Sequence, residues 1–183
     1  MSPDSLETLI RTLLADPSRL PELALLLPEV AALDGVPQRP DYHAEGDVLV
    51  HTRLAVAALP ESVEARVFWA TLLHDIGKAW TTRLLDGIWR SYGHDEAGAE
   101  QVPGILTRLG RAELAEDVAW LVRHHQFHLA WSNLREGGAL SLRQKRFCRH
   151  PLFPLLLEVC LADAAASHGS AKGDVLRRLA GLD

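Results

Sequence analysis

A chain of 183 residues, 48% apolar and 23% charged, has the composition of one soluble globular domain with a sizeable core. Its formal net charge of -5 argues against sequence-blind binding to duplex nucleic acid, although a local cation can still hold a small phosphorylated ligand. No apolar run approaches a membrane span, the opening "MSPDSLETLI" lacks a signal-type segment, and Cys148 and Cys160 read as reduced thiols of a cytoplasmic protein.

Helical periodicity dominates the pattern. Asp4 or Ser5 is placed to cap a first helix reaching about Ala15, and Asp16-Pro17 restarts the chain. "LPELALLLPEVAAL" reads as short helical pieces cut by Pro21 and Pro28, and the Pro- and Gly-rich stretch 34–46 reads as a loop. Asp47 caps the next helix, to about Leu59, and Ser62 caps another that ends at His74-Asp75. Asp86-Gly87 between two short runs predicts a small β-hairpin. A helix kinked at Pro103-Gly104 is expected from about His94, and another from about Ala112 to His128, followed by a loop containing Gly137-Gly138. Residues 141–149, 151–167 and 172–180 also read as helical. With no repeat or domain boundary, the expected architecture is a single all-α domain over residues 1–183 with one minor hairpin.

Projecting these helices turns several polar residues onto apolar faces. His51 shares a stripe with Val48, Leu54, Ala55 and Ala58, and His74 and Asp75 end a helix that is apolar almost all round. Val118, Leu121, Val122 and His125 fall at i, i+3, i+4 and i+7, and Leu156, Val159, Cys160 and Asp163 repeat that spacing. Each residue alone has an ordinary reading: an inward histidine can be a hydrogen-bonded core residue, Asp163 can pair with an arginine, and Asp75 can cap a turn. Together, imidazoles and carboxylates directed inward from four helices call for a shared cation. The absence of thiolates suits Mn, Fe, Co, Ni, Mg or Zn chemistry rather than a Cys-based structural zinc site.

The series His51, His74-Asp75 and Asp163 resembles the signature of the HD superfamily of metal-dependent phosphohydrolases. "PELALLLPEVAALDGVPQRPDYHAEGDVLVHT", "LLHDIGKAW", "YGHDEAGAE", "LVRHH" and "LADAAASHG" follow in order across most of residues 21–169. That series resembles the HD domain fused to some bacterial CCA-adding tRNA nucleotidyltransferases. No nucleotidyltransferase motif is present, so the expectation is the hydrolase part alone. The Gly-Tyr-Pro motif of cyclic-di-GMP enzymes and the Glu-Asp pair of alarmone hydrolases are also missing.

The resemblance implies an HD-type helical bundle that cleaves phosphomonoesters and 2′,3′-cyclic phosphodiesters of nucleotides or RNA 3′ ends. It assigns His51, His74, Asp75 and Asp163 as ligands of a divalent ion, with Asp75 able to bridge a second. His94 and His125 match the additional ligands of dinuclear members; for His94 a plain helix cap is the competing role. One or two ions would polarise a phosphoryl oxygen and activate water. Lys78, after the glycine that ends the ligand helix, is assigned to a phosphate oxygen, against the alternative of a solvated surface lysine. His124 and His128 form an i, i+4 pair that could itself bind metal. The more apolar seam of His125 favours it as ligand and leaves His124 as proton donor to the leaving oxygen.

Arg143, Lys145, Arg146 and Arg149 read as a solvated face from which one or two cations could reach a phosphate. Trp80, Trp89 and Tyr92 are assigned to packing before base stacking, and His43, His150 and His168 to surface or loop positions. Two competing functions remain: a metal- and nucleotide-binding HD module without turnover, and a hydrolase of other small nucleotides such as dinucleoside polyphosphates. A closed structural metal site fits poorly with so carboxylate-rich a set.

Overall fold

The computed structural model describes residues 3–131, 138–167 and 172–181. Eleven α-helices and one hairpin follow in order among them. Helix α1 spans Pro3–Ala15, α2 Leu20–Leu26, α3 Pro28–Ala31, α4 Val48–Ala57, α5 Ala65–Leu73 and α6 Lys78–Thr81. Strands β1, Arg83–Leu85, and β2, Ile88–Arg90, precede α7 at His94–Arg108, α8 at Ala115–His124, α9 at Leu142–Phe147, α10 at Phe153–Ala166 and α11 at Lys172–Ala180. The architecture is all-α, as the periodicity indicates. None of the described helices is long and apolar enough to cross a membrane.

The local chemistry explains most boundaries. Asp16 accepts from the Ser18 backbone N–H and starts a short 3-10 turn at Pro17–Arg19. Asp47 uses one carboxylate oxygen to cap α4 at the Val50 N–H and the other to accept from Gly35 N–H, 2.9 and 2.8 Å away. The loop 36–46 is thereby closed at its base against the start of α4. Asp86 and Gly87 take φ of 50° and 73°, the left-handed pair that a two-residue hairpin requires, with Leu85 opposite Ile88. Ser141 and Gln144 form a reciprocal capping box at the start of α9.

Two boundaries differ from expectation, and one helix runs as expected. The cap of α5 is Glu64, whose side chain accepts from Arg66 N–H, and not Ser62; the helix starts later because 61–64 form a turn. Helix α7 begins at His94, as expected, and continues through Pro103. The helix expected to reach His128 stops at His124 and resumes as a 3-10 turn at Phe127–Ala130. Gly137 and His168 lie outside the described residues.

One apolar cluster joins α1 to α5, α7, α8, α10 and α11, with Phe68, Trp69, Leu72 and Leu73 of α5 at its centre. Helix α10 packs on α4, α5, α8 and α11, and α7 lies along α8. Helix α5 is therefore walled in on nearly every side, which is why its sequence is apolar all round. Burying a leucine such as Leu72 stabilises the fold by about 1.5–3 kcal/mol. Polar ties close the N-terminal edge: the indole N–H of Trp69 donates to Glu7 over 2.9 Å, and Arg11 donates to the Val56 and Pro60 carbonyls, both at 3.0 Å. Those two bonds tie α1 to the end of α4 and to the segment that follows it.

Candidate metal centre

Helices α4, α5, α7, α8 and α10 bring six side chains to one point. His51 comes from the middle of α4, His74 and Asp75 from the turn after α5, and His94 from the first position of α7. His125 stands just beyond α8, and Asp163 lies in the last turns of α10. All six are buried. His51 Nε2 lies 3.0 Å from Asp163 Oδ1, and His94 Nε2 lies 3.3 Å from both His125 Nε2 and Asp75 Oδ1. Two groups emerge, His51-His74-Asp163 and Asp75-His94-His125, in each of which one ligand-type atom per residue lies within 4.8 Å of the others.

Asp75 joins the groups. Its Oδ2 is 3.2 Å from His74 Nε2 and 3.9 Å from His51 Nε2, whereas its Oδ1 faces His94 and His125 at 3.3 and 3.8 Å. Each carboxylate oxygen thus serves a different set of imidazoles. Two cations, one per set, would share this carboxylate.

The orientation of the rings follows from their other nitrogens. His74, His94 and His125 each direct Nδ1 at the backbone carbonyl three residues earlier, Thr71, Ser91 and Val122, at 2.7, 2.6 and 2.7 Å. A carbonyl only accepts, so Nδ1 carries the proton, and in the neutral ring Nε2 is left with a lone pair facing inward. The fourth imidazole, His51, directs Nδ1 at Glu45 Oε1 over 2.8 Å. The three lone-pair nitrogens of His74, His94 and His125 and the two carboxylates, facing one another, repel unless positive charge lies between them. Nε2 of His51 and of His74 are buried without a well-aligned hydrogen bond, despite the nearby carboxylates. The donor set and these two atoms fit divalent ions held by nitrogen and oxygen.

The charges of the ion-free cluster show the same demand. Burial works to depress the His51 pKa, but the Asp163 and Glu45 carboxylates outweigh it and raise it to about 9. Burial works to raise Asp75, yet the neighbouring His74 and Lys78 hold it well below the usual carboxylate range. His125 is pushed down to about 3 by burial, reinforced by His74 and His94. An imidazole so reluctant to protonate is a ready neutral ligand.

Close packing holds the second group in place. A Cβ on Gly77 would collide with the His94 carbonyl oxygen, so only glycine lets the turn after Asp75 approach the start of α7. Cys160 donates its thiol to the His125 carbonyl over 3.0 Å, which ties α10 to the end of α8. The Ser167 hydroxyl donates to the Asp163 carbonyl at 3.0 Å and approaches its Oδ1 at 3.4 Å.

Lys78 is nearly buried, with Nζ 2.7 Å from Asp75 Oδ2 and 2.9 Å from Gln38 Oε1. It is not a solvated surface lysine. It lines a cleft of about 290 Å³, together with His43 and His94, between the loop 36–46 and the hairpin.

His124, expected as proton donor, belongs to neither of these two groups. One residue from His125 is about 100° around a helix. Its ring packs edge-on against Trp120 and Phe147, with centroids 4.5 and 5.5 Å away, and its pKa is lowered by burial and by Arg123. His150 also belongs to this aromatic cluster, stacked on Trp120 at 3.9 Å, and not to an open surface. Arg143, Lys145, Arg146 and Arg149 are exposed, as a solvated face requires, and none lines the cleft. Trp80, Trp89 and Tyr92 are exposed, which corrects the expectation of core packing but not of hairpin packing, since Trp89 stands opposite Leu84; Trp89 and Tyr92 line the cleft.

Sequence reasoning misses Glu45 and Gln38 altogether and places His43 at a surface or loop position, of which the loop holds. His43 is half-buried, its Nδ1 is 2.8 Å from Glu45 Oε1, and its ring meets that of His51 edge-on at 4.8 Å. The available signal is an acidic residue six positions before an inward histidine, in a loop whose ends Asp47 ties together.

Residues 47–166 match the family described as HD domain. Over 158 residues the chain is 39% identical to the Multifunctional CCA protein of Halorhodospira halophila, covering 83% of this chain and 37% of that protein. The protein of the same name from Neisseria meningitidis serogroup C is 42% identical over 151 residues, covering 77% of this chain and 34% of the relative. That from Alkalilimnicola ehrlichii is 39% identical over 158 residues, covering 80% and 36%. The chain therefore spans little more than a third of the length of these curated relatives.

Proposed function

This chain belongs to the HD domain family of metal-dependent phosphohydrolases, and from that premise we propose that it hydrolyses 2′,3′-cyclic phosphodiesters or phosphomonoesters at nucleotide or RNA ends. The observation that carries the reading is Asp75, one oxygen toward each histidine group, with Lys78 beside it at the mouth of a cleft. His51, His74 and Asp163 would hold one divalent ion, His94 and His125 a second, and Asp75 would serve both.

Such ions supply Lewis-acid activation of water and charge stabilisation at a phosphoryl oxygen. The chain's own residues do the rest. Lys78 places a cation where charge builds up on a non-bridging oxygen, in a setting of low water content that strengthens it. Gln38 and Asp75 fix its ammonium group in advance, so little reorganisation is left for the reaction. Glu45 and the three backbone carbonyls hold the imidazoles in the tautomer that presents Nε2 inward. The relatives are Multifunctional CCA proteins, and a nucleotide or RNA end is the substrate class proposed from that likeness.

The test is a screen of 2′,3′-cyclic nucleotides, nucleoside monophosphates, dinucleoside polyphosphates and deoxynucleotides, run with several divalent ions. Turnover of ribonucleoside cyclic phosphates or monoesters is expected. Turnover of deoxynucleotides alone would remove the RNA-end part of the proposal and leave hydrolysis. Metal-loaded protein that turns over no phosphoester would be a binding module.

A further inference from the structure

Aromatic residues make up only 6% of the chain, yet three of them line the cleft that reaches Lys78 and His94. Tyr42 comes from the loop 36–46, Trp89 from β2 and Tyr92 from the segment before α7. They remain 46%, 37% and 69% exposed. Single exposed rings are ordinary, but three converging on a cavity beside a charged cluster mark a binding surface.

Two of the rings, Tyr42 and Tyr92, are also held. The Arg39 guanidinium lies over Tyr42, 4.7 Å from its centroid, and is itself paired with Asp41 at 2.9 Å. Arg90 lies 5.7 Å from the Tyr92 centroid and donates to the Tyr92 hydroxyl over 2.8 Å. Flat surfaces fixed in advance lose little side-chain entropy when they take up a flat ligand. Arg39 and Trp89 also line a smaller adjoining hollow of about 170 Å³ below the hairpin turn.

We infer that this aromatic end of the cleft is a subsite for one unpaired nucleobase, carried by a substrate whose phosphate lies at Lys78. The inference rests on the phosphohydrolase reading for the position of the phosphate, and on the rings for the base. Bases present flat faces that stack on aromatic rings and guanidinium planes whatever their sequence. The cleft, at about 290 Å³, is at the small end of ligand pockets and suits one nucleotide unit, not a base pair. The amide of Gln126, which also lines the cleft, can both donate to and accept from a base edge.

The test compares binding of adenosine and uridine 3′-monophosphates with methyl riboside 3-phosphate, the same compound without the base, by calorimetry on manganese-loaded protein. The nucleotides are expected to bind at least about tenfold more tightly, as stacking on one base allows. Trp89→Ala and Tyr42→Ala should each weaken nucleotide binding about fivefold or more while leaving the base-free phosphate and the metal content unchanged. A single-stranded oligoribonucleotide with a 3′-phosphate forms the second arm. If it binds more tightly than the mononucleotides, the base comes from an RNA end, and equal affinity assigns it to free nucleotides. Equal affinity for base-bearing and base-free phosphates would overturn the subsite, as would nucleotide binding unchanged in both variants. Base discrimination that persists in protein without any hydrolytic activity would instead remove the hydrolase reading and leave the subsite standing.

Discussion

Gly77 and His94 are packed so closely that the glycine's missing side chain decides where α7 begins. Its position after His74-Asp75-Ile76 lets the turn that carries one ligand group rest directly on the backbone that carries the other. Gly98, one turn on, faces back at Gly77, and a Cβ added to it would lie 3.3 Å from the Gly77 nitrogen.

Gly77→Ala should therefore destabilise the protein by about 1–3 kcal/mol, the usual cost of forcing a group into a packed site. It should also weaken ion binding at His94 and His125. Gly104→Ala is the control. It stands exposed in the same helix as His94 with nothing within 4 Å of an added Cβ, and should stabilise by about 0.5–1 kcal/mol through helix propensity. Urea denaturation of both variants checks the contrast, and equal stabilities would contradict it.

His125→Ala should lose one equivalent of bound metal, whereas His124→Ala should keep the full count. The second change instead removes edge contacts to Trp120 and Phe147, at a cost of about 0.5–1.5 kcal/mol. Metal analysis beside thermal melts separates the two effects.

Glu45 holds His51 by its Nδ1 from a side chain that is itself buried. Glu45→Ala should weaken binding of the ion at His51 by about 10- to 100-fold, as loss of a ligand-orienting carboxylate does elsewhere. Glu45→Gln keeps an acceptor for the ring N–H and should fall between the alanine variant and the parent. Competition with a chelator of known affinity measures both.

Lys78→Met removes the ammonium group but keeps most of the apolar stem. The proposed role predicts a loss of about 10²–10³ in kcat with the metal content retained. Loss of metal along with activity would show that Lys78 serves to hold Asp75 and not the substrate.

The helical part of this site is legible in the sequence for a physical reason. A helix of 3.6 residues per turn tells which way each side chain points, so periodicity alone puts His51, His125 and Asp163 on inward faces. It places His125 correctly even though α8 ends one residue earlier, because the last turn keeps the helical direction. A loop has no such period. Gln38, His43 and Glu45 lie in the Pro- and Gly-rich stretch, where their direction is set by the Asp47 bonds to Gly35 and Val50, which no periodicity reveals. The setting of His124 is equally hidden, since its aromatic neighbour Phe147 is distant in the chain.

The most direct measurement is the number of manganese ions bound per chain by the wild-type protein and by Asp75→Ala. The shared carboxylate predicts two ions in the wild type, loss of both groups' tight binding in the variant, and loss of phosphoester hydrolysis with it. Two tightly bound ions in Asp75→Ala would contradict the account, because the cluster would then assemble without the residue that joins its halves.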